Sequence, residues 1–247
     1  MNIWLPHVPK TGGTSLYESL SKEYPYYEEK NVFKYENSHN KRRSYLKEWP
    51  KRIITNNNNN IITRHGNPLT NEMKDWIKIL VLRHPLERIV STYNQDIFAG
   101  KVPNNLPFDF WLDLGTFFHW SYLDFLNTIQ KNCTDSLINN FNKNNIFEIF
   151  DFIIELKDIK KVHEIIENNF SKKVVNWKLI NTSHHKQNLI AVESVNSNEL
   201  EIYHHNIKPL TVKDLTDKQI NNIYSKKFIV KDIEFYELWK VKNQQSK

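Results

Sequence analysis

A lysine, two glycines and three hydroxyl residues stand in seven positions, Pro9-Lys10-Thr11-Gly12-Gly13-Thr14-Ser15, between the apolar run IWLPHV and an amphipathic stretch that begins at once. The chemistry that fits this set at a strand-to-helix junction is the binding of an anion, a phosphate above all. Glycines let the backbone turn tightly and approach oxygens without a Cβ in the way, so that successive N–H groups converge. The first helical turn adds its own N–H groups and the positive end of the helix dipole. Lys10 brings a full charge on a mobile stem, and Thr11, Thr14 and Ser15 bring hydroxyl donors. An ordinary glycine turn with a Ser/Thr helix cap is the other reading. The run is not a Walker A loop, because no Gly-Lys-Ser/Thr closes it and its lysine precedes the glycines.

A second constellation is VLRHPLERIVSTYNQ, residues 81–95. Arg83 ends the apolar run IKILVLR, and Ser91 follows eight positions later along a helical pattern, with Arg88 between them. A guanidinium with a hydroxyl in this arrangement can hold a phosphate through paired N–H donors. A strand-turn-helix whose arginine makes a surface ion pair would give the same pattern.

These groups need elements to position them. Residues 77–83 carry the strongest strand signal, a continuous apolar run of the kind buried parallel strands show. Strands are also expected at 2–8, at 149–155 and at one of the two IIT runs, 53–55 and 61–63. Helical spacing marks 13–22, 86–98, 107–114, 119–131, 158–169, 216–225 and 231–242, and 176–210 reads as irregular. Alternating strands and helices give an α/β fold: one domain over 1–247, with a central parallel β-sheet flanked by helices and a P-loop-like phosphate-binding loop. In such sheets ligands gather at the carboxyl ends of the strands, where the Lys10 loop and the Arg83 turn are expected to lie.

The whole-chain properties bound the function. A chain of 247 residues suffices for one sizeable core. The net charge of +6 suits an anionic ligand without choosing among nucleotide, nucleic acid and acidic glycan. Cys133 is the single cysteine, which excludes an intramolecular disulfide framework and a cysteine-rich zinc site. The asparagine run 56–60 reads as a solvated loop. No secretory or membrane-spanning segment precedes the first strand, so a soluble protein of a reducing compartment is expected.

Taken together, HVPKTGGTSL and LVLRHPLERIVSTY resemble the paired nucleotide signature of sulfotransferases that use 3′-phosphoadenosine 5′-phosphosulfate (PAPS). Within that superfamily the resemblance is to the carbohydrate branch containing the heparan sulfate 2-O and 6-O enzymes and their bacterial relatives. HWSYLDFL (119–126), FDFIIELKDIKK (150–161), LINTSHHK (179–186) and the tail from Leu215 to Trp239 follow in the order such proteins show. The resemblance implies that Pro9 to Leu16 hold the 5′-phosphosulfate, with Lys10 at the bridging oxygen. It further implies that Arg83 and Ser91 bind the 3′-phosphate, and that a late loop from Thr182 to Lys186, Ser183 included, closes over the cofactor. The donor would leave as adenosine 3′,5′-bisphosphate, with no catalytic metal.

Transfer to a hydroxyl also requires a base that is unprotonated near neutral pH, and histidine meets that condition without a large pKa shift. His65 follows the apolar run at 61–63 and so should reach the same sheet edge as Lys10 and Arg83; similar enzymes place a catalytic histidine between the two nucleotide motifs. His7 and His84 read as packing and turn residues, and His119, His184-His185 and His204-His205 as weaker candidates. The basic stretch KRRSYLKEWPKR (41–52) is either one wall of a site for an acidic sugar chain or a solvated helix face. Trp111, Trp120 and Tyr122 either stack on sugar rings or are core aromatics.

A carbohydrate hydroxyl is the acceptor the resemblance implies, with protein tyrosine, a lipid-linked sugar or a small metabolite as alternatives. Neither a nucleic-acid partner nor a membrane span is expected, and the oligomeric state is left open. The absence of an anchor suggests a cytoplasmic enzyme of bacterial or viral origin, or a Golgi enzyme only if an anchor was trimmed. Two other classes compete. A P-loop-type nucleotide or small-molecule kinase is disfavoured by the missing Gly-Lys-Ser/Thr and by the lack of an acidic metal ligand at a strand end. A non-catalytic polyanion-binding module accounts for the charge but not for two separate strand-end motifs.

Overall fold

Strand β1 (Ile3–Pro6) is short and every residue in it is buried, the pattern of a strand covered on both faces. The computed structural model describes residues 2–6, 8, 10–36, 44–56, 59–64, 73–98, 100–114, 122, 146–170 and 209–245. These fall into two compact units, Met1–Leu82 with Asp124–Lys178, and Arg83–Leu123 with Leu179–Lys247.

The first unit is built on a mixed sheet. Along the chain it comprises β1, helix α1 (Gly13–Glu23), β2 (Tyr26–Glu36), β3 (Ser44–Asn56), β4 (Asn59–Arg64), β5 (Ile77–Leu82) and, beyond the second unit's α2 (Pro85–Phe98) and α3 (Phe108–Leu114), β6 (Phe152–Glu155) and helix α4 (Lys160–Phe170). The spatial order is β2-β3-β4-β1-β5-β6. β1 runs parallel to β4 on one side, with Pro6 opposite Arg64, and parallel to β5 on the other. β6 extends the parallel set beyond β5. All four strands therefore point their carboxyl ends the same way.

Alternation along each strand decides the layers. Ile3 and Leu5 of β1, Ile79 and Val81 of β5, Ile61 of β4 and Ile154 of β6 share one core with Leu16 and Leu20 of α1 and Val162 and Ile166 of α4. Each helix contributes an i, i+4 pair, the spacing that makes one apolar stripe. On the other parity Trp4, Leu80 and Leu82 are buried too, and Phe150 stacks on the Trp4 ring at 5.7 Å. The sequence reading of an α/β fold with a parallel sheet and covering helices matches this architecture.

The hairpin β2–β3 departs from that reading, which expected no strand between residues 22 and 53 and weighed 41–52 as an acceptor wall or a solvated helix face. β2 pairs antiparallel with β3 from Tyr26–Ile54 to Glu36–Ser44, whereas β4 covers β3 only over residues 52–56. Residues 44–51 are thus a two-stranded ribbon that runs past the carboxyl ends of β4 and β1, for roughly 25 Å at strand rise. Adjacent charges in YYEEKNVFKYE hide the alternation that identifies a half-buried strand. Pro50 argues against a central strand, yet it falls where β3 has a partner on one side only, the setting that tolerates proline.

The second unit is helical: α2 (Pro85–Phe98), α3 (Phe108–Leu114), α5 (Asp217–Tyr224) and α6 (Lys227–Gln245). Pro85 takes the first position of α2, where its missing N–H costs nothing. Leu86, Ile89 and Val90 of α2 pack with Phe108, Trp111 and Leu112 of α3 and with Ile223 and Ile229. Thr216 and Gln219 form a reciprocal capping box at the start of α5. The Asn94 carboxamide clamps Leu210, donating to its C=O at 2.7 Å and accepting from its N–H at 3.0 Å.

One charged pair lies inside this apolar unit. Arg88 Nη2 meets Asp232 Oδ2 at 2.9 Å, with both side chains almost fully buried. Removing one partner strands the other charge, so Asp232→Ala is expected to cost about 3–5 kcal/mol in urea unfolding. The double variant Arg88→Met/Asp232→Leu should recover most of that loss.

Candidate active site

The loop after β1 is shaped by two left-handed residues. Lys10 adopts φ 69° and Gly12 φ 85°. For an L-residue such as Lys10 that conformation costs about 1–2 kcal/mol, and strain of this kind tends to be held where function requires it. Thr11 closes the turn between them: its hydroxyl donates to the Val8 carbonyl at 2.8 Å and its N–H to the same oxygen at 3.3 Å. The hydroxyl read from sequence as a donor for the anion is therefore spent inside the protein, because the left-handed Lys10 brings the Val8 oxygen within reach.

Gly12 is the N-cap of α1, with no side-chain cap, and the first intrahelical bond runs from the Leu16 N–H to the Gly12 carbonyl at 3.1 Å. The N–H groups of Gly13 and Thr14 precede that bond, which gives the helix start its positive character. Ser15 lies partly buried in the same turn, and its carbonyl accepts from the Ser19 hydroxyl. Gly12 is constrained a second time, because a Cβ there would sit 2.6 Å from Leu156 Cδ1, in the turn that follows β6. The turns after β1 and β6, strands separated by β5 in the sheet, thus meet at one glycine.

Arg83 follows the last residue of β5, and its main chain is gripped by a side chain. The Tyr122 hydroxyl accepts the Arg83 N–H at 2.8 Å and donates to the Arg83 C=O at 2.6 Å. Burial pushes that hydroxyl up to about 12, against the opposing pull of Arg88, so it keeps the proton it donates throughout the neutral range. The partly exposed Arg83 guanidinium meets Glu87 on α2 through Nε, at 3.3 Å from Oε2. Glu87 and Ser91 are four apart on α2 and share its face, so Arg83's carboxylate partner and Ser91 lie along one stripe. Among the described residues the Ser91 hydroxyl makes no hydrogen bond.

His84 completes the turn: its Nδ1 accepts the Leu86 N–H at 3.3 Å, its carbonyl accepts the Arg88 N–H, and its ring sits edge-on to Tyr236. The two arginines of the motif have opposite settings, Arg83 at the surface and Arg88 in the core. Trp111 and Tyr122 are fully buried and not placed to stack on a sugar. Pro9, His65, Ser183, His7, Trp120 and the 182–186 loop lie outside the described residues, as does the Thr14 side chain. β4 ends at Arg64, one position before His65, beside β1.

Sequence reasoning weighed Tyr122 only as a sugar-stacking or core aromatic and did not single out Glu87 or Leu156. Glu87 could have been found from its i+4 spacing to Arg83. Tyr122 and Leu156 could not, since their contacts exist only after folding. Gly12→Ala is expected to lower the unfolding free energy by about 1–2 kcal/mol from backbone strain. Leu156→Ala in the same chain should not restore it, and denaturant midpoints check both.

Among the described residues no helix is long and apolar enough to cross a membrane. No curated protein and no solved structure matches the chain. Residues 2–106, which carry both the Lys10 loop and the Arg83-to-Ser91 motif, match the model described as Sulfotransferase family, and this supports sulfuryl transfer as the general chemistry and a transferase as the class of enzyme.

Proposed function

We propose that the chain is a PAPS-dependent sulfotransferase that moves a sulfuryl group to a hydroxyl of an acidic carbohydrate. The observation that carries this reading is a lysine held in a left-handed turn immediately before a glycine-capped helix start. In-line transfer at sulfur needs an aligned acceptor oxygen, a stabilised leaving oxygen and removal of one proton. As the bond from sulfur to the bridging phosphate oxygen breaks, its electron pair stays on that oxygen, beside the Lys10 ammonium and the N–H groups of the α1 start. The acceptor oxygen forms the new bond to sulfur and gives its proton to the His65 imidazole.

In this reading Pro9 to Ser15 hold the 5′-phosphosulfate, Thr11 by closing the turn. Arg83 and Ser91 hold the 3′-phosphate, and Ser183 belongs to the loop that covers the nucleotide. Support for the acidic acceptor comes from the β2–β3 ribbon. The sequence 41–52 carries six cationic side chains against one carboxylate, and its residues 44–52, with Lys47, Lys51 and Arg52, belong to β3, whose ribbon runs past the sheet edge that bears the Lys10 loop. The P-loop-like reading of that loop rests on its glycines and the helix start.

Calorimetric titration should show binding of adenosine 3′,5′-bisphosphate without metal and at least tenfold weaker binding of ATP with magnesium; the reverse order would point to a kinase. Lys10→Gly separates strain from catalysis. Relief of the left-handed strain should leave stability unchanged or raise it by up to about 1 kcal/mol. Turnover of labelled donor should fall about 100-fold or more. His65→Ala should lower turnover with little change in nucleotide affinity, and unchanged turnover would remove His65 as the base.

A further inference from the structure

Tyr122 lies 39 residues from Arg83 in sequence, yet its single hydroxyl satisfies both main-chain groups of that residue. β5 stops at Leu82, so the hydroxyl acts as a one-residue strand neighbour, extending the pairing by one position. Tyr122 is itself immobilised on three sides. Its ring stacks with Phe235 at 5.5 Å, the Arg88 guanidinium lies 4.4 Å from the ring centre, and its N–H donates to Asp232 Oδ1 at 2.6 Å. The other Asp232 oxygen holds Arg88. Arg88 is the residue after Glu87, whose carboxylate meets the Arg83 guanidinium. The Arg83 main chain is therefore fixed through Tyr122, Asp232 and Arg88 to the same helix that fixes its side chain.

We propose that Tyr122 is a positioning residue for anion recognition: by locking the Arg83 backbone it aims the guanidinium at the 3′-phosphate of the bound nucleotide. This rests on the reading of Arg83 as the 3′-phosphate ligand. A guanidinium on a fixed backbone loses less freedom when it closes on a phosphate than one on a mobile turn. Removal of the hydroxyl alone should weaken only interactions that pass through Arg83.

The test compares adenosine 3′,5′-bisphosphate with adenosine 5′-monophosphate, which lacks the 3′ group, by calorimetry on the full chain. Tyr122→Phe keeps the ring stack and is expected to weaken the bisphosphate about tenfold while leaving the monophosphate within twofold. Arg83→Ala should abolish the preference for the bisphosphate, and adding Tyr122→Phe to it should change nothing further. Phe235→Leu, which loosens the ring but keeps the hydroxyl, should give the same selective loss at smaller size. That variant keeps the test open if Tyr122→Phe does not fold. Equal weakening of both nucleotides, or an undiminished Tyr122→Phe effect in the Arg83→Ala chain, overturns the positioning role while leaving Arg83 as the ligand. Full retention of the preference in Arg83→Ala overturns both the ligand assignment and the role built on it.

Discussion

Parallel pairing of β1 with β4 on one side and β5 on the other is the constraint on which the described site depends. Parallel strands end on one edge of a sheet, so within the first unit the loop after β1, the end of β4 and the turn after β6 begin within a few strand spacings of each other. β1 sits in the middle of the set and is buried throughout, which gives the loop after it a rigid base. A left-handed lysine can persist there because the chain is pinned before it by the sheet and after it by α1. In a free peptide the same residue would relax.

The two arginines of the second motif show how local surroundings assign roles to one side-chain type. Arg88 is enclosed, paired with Asp232 and laid against the Tyr122 ring, and its charge is neutralised within the core. Arg83 reaches the surface, where its partner Glu87 is exposed and the pair is worth little in water. An arriving anion can therefore compete for Arg83 at small energetic cost. Arg88 offers no such opportunity, since any rival would have to enter the core and leave Asp232 unpaired.

Much of this was legible in the sequence. The apolar runs gave β1 and β5, and helical spacing gave α2 almost to the residue; of the two IIT runs one strand was expected, and both are strands, in β3 and β4. Those signals are local, since burial on both faces leaves few polar positions to interrupt a run. The ribbon was illegible because adjacent charges in YYEEKNVFKYE and Pro50 in β3 break the local pattern of a strand, and its pairing joins residues far apart in the sequence. The Thr11 hydroxyl was misread as a ligand donor because its partner, Val8, comes within reach only through the unusual backbone at Lys10. Tyr122 looked like any helical aromatic, and its bonds to Arg83 reflect tertiary packing that no short window of residues contains.

Asp232 grips the Tyr122 backbone across 110 residues of chain. Contacts of such long range close late in folding, after the local helices and the neighbouring strands have formed. During synthesis Arg83 emerges well before α6, so its bearing is unset until α6 has docked. A nascent chain would then carry the Lys10 loop early and the finished Arg83 turn only after α6 has emerged and docked.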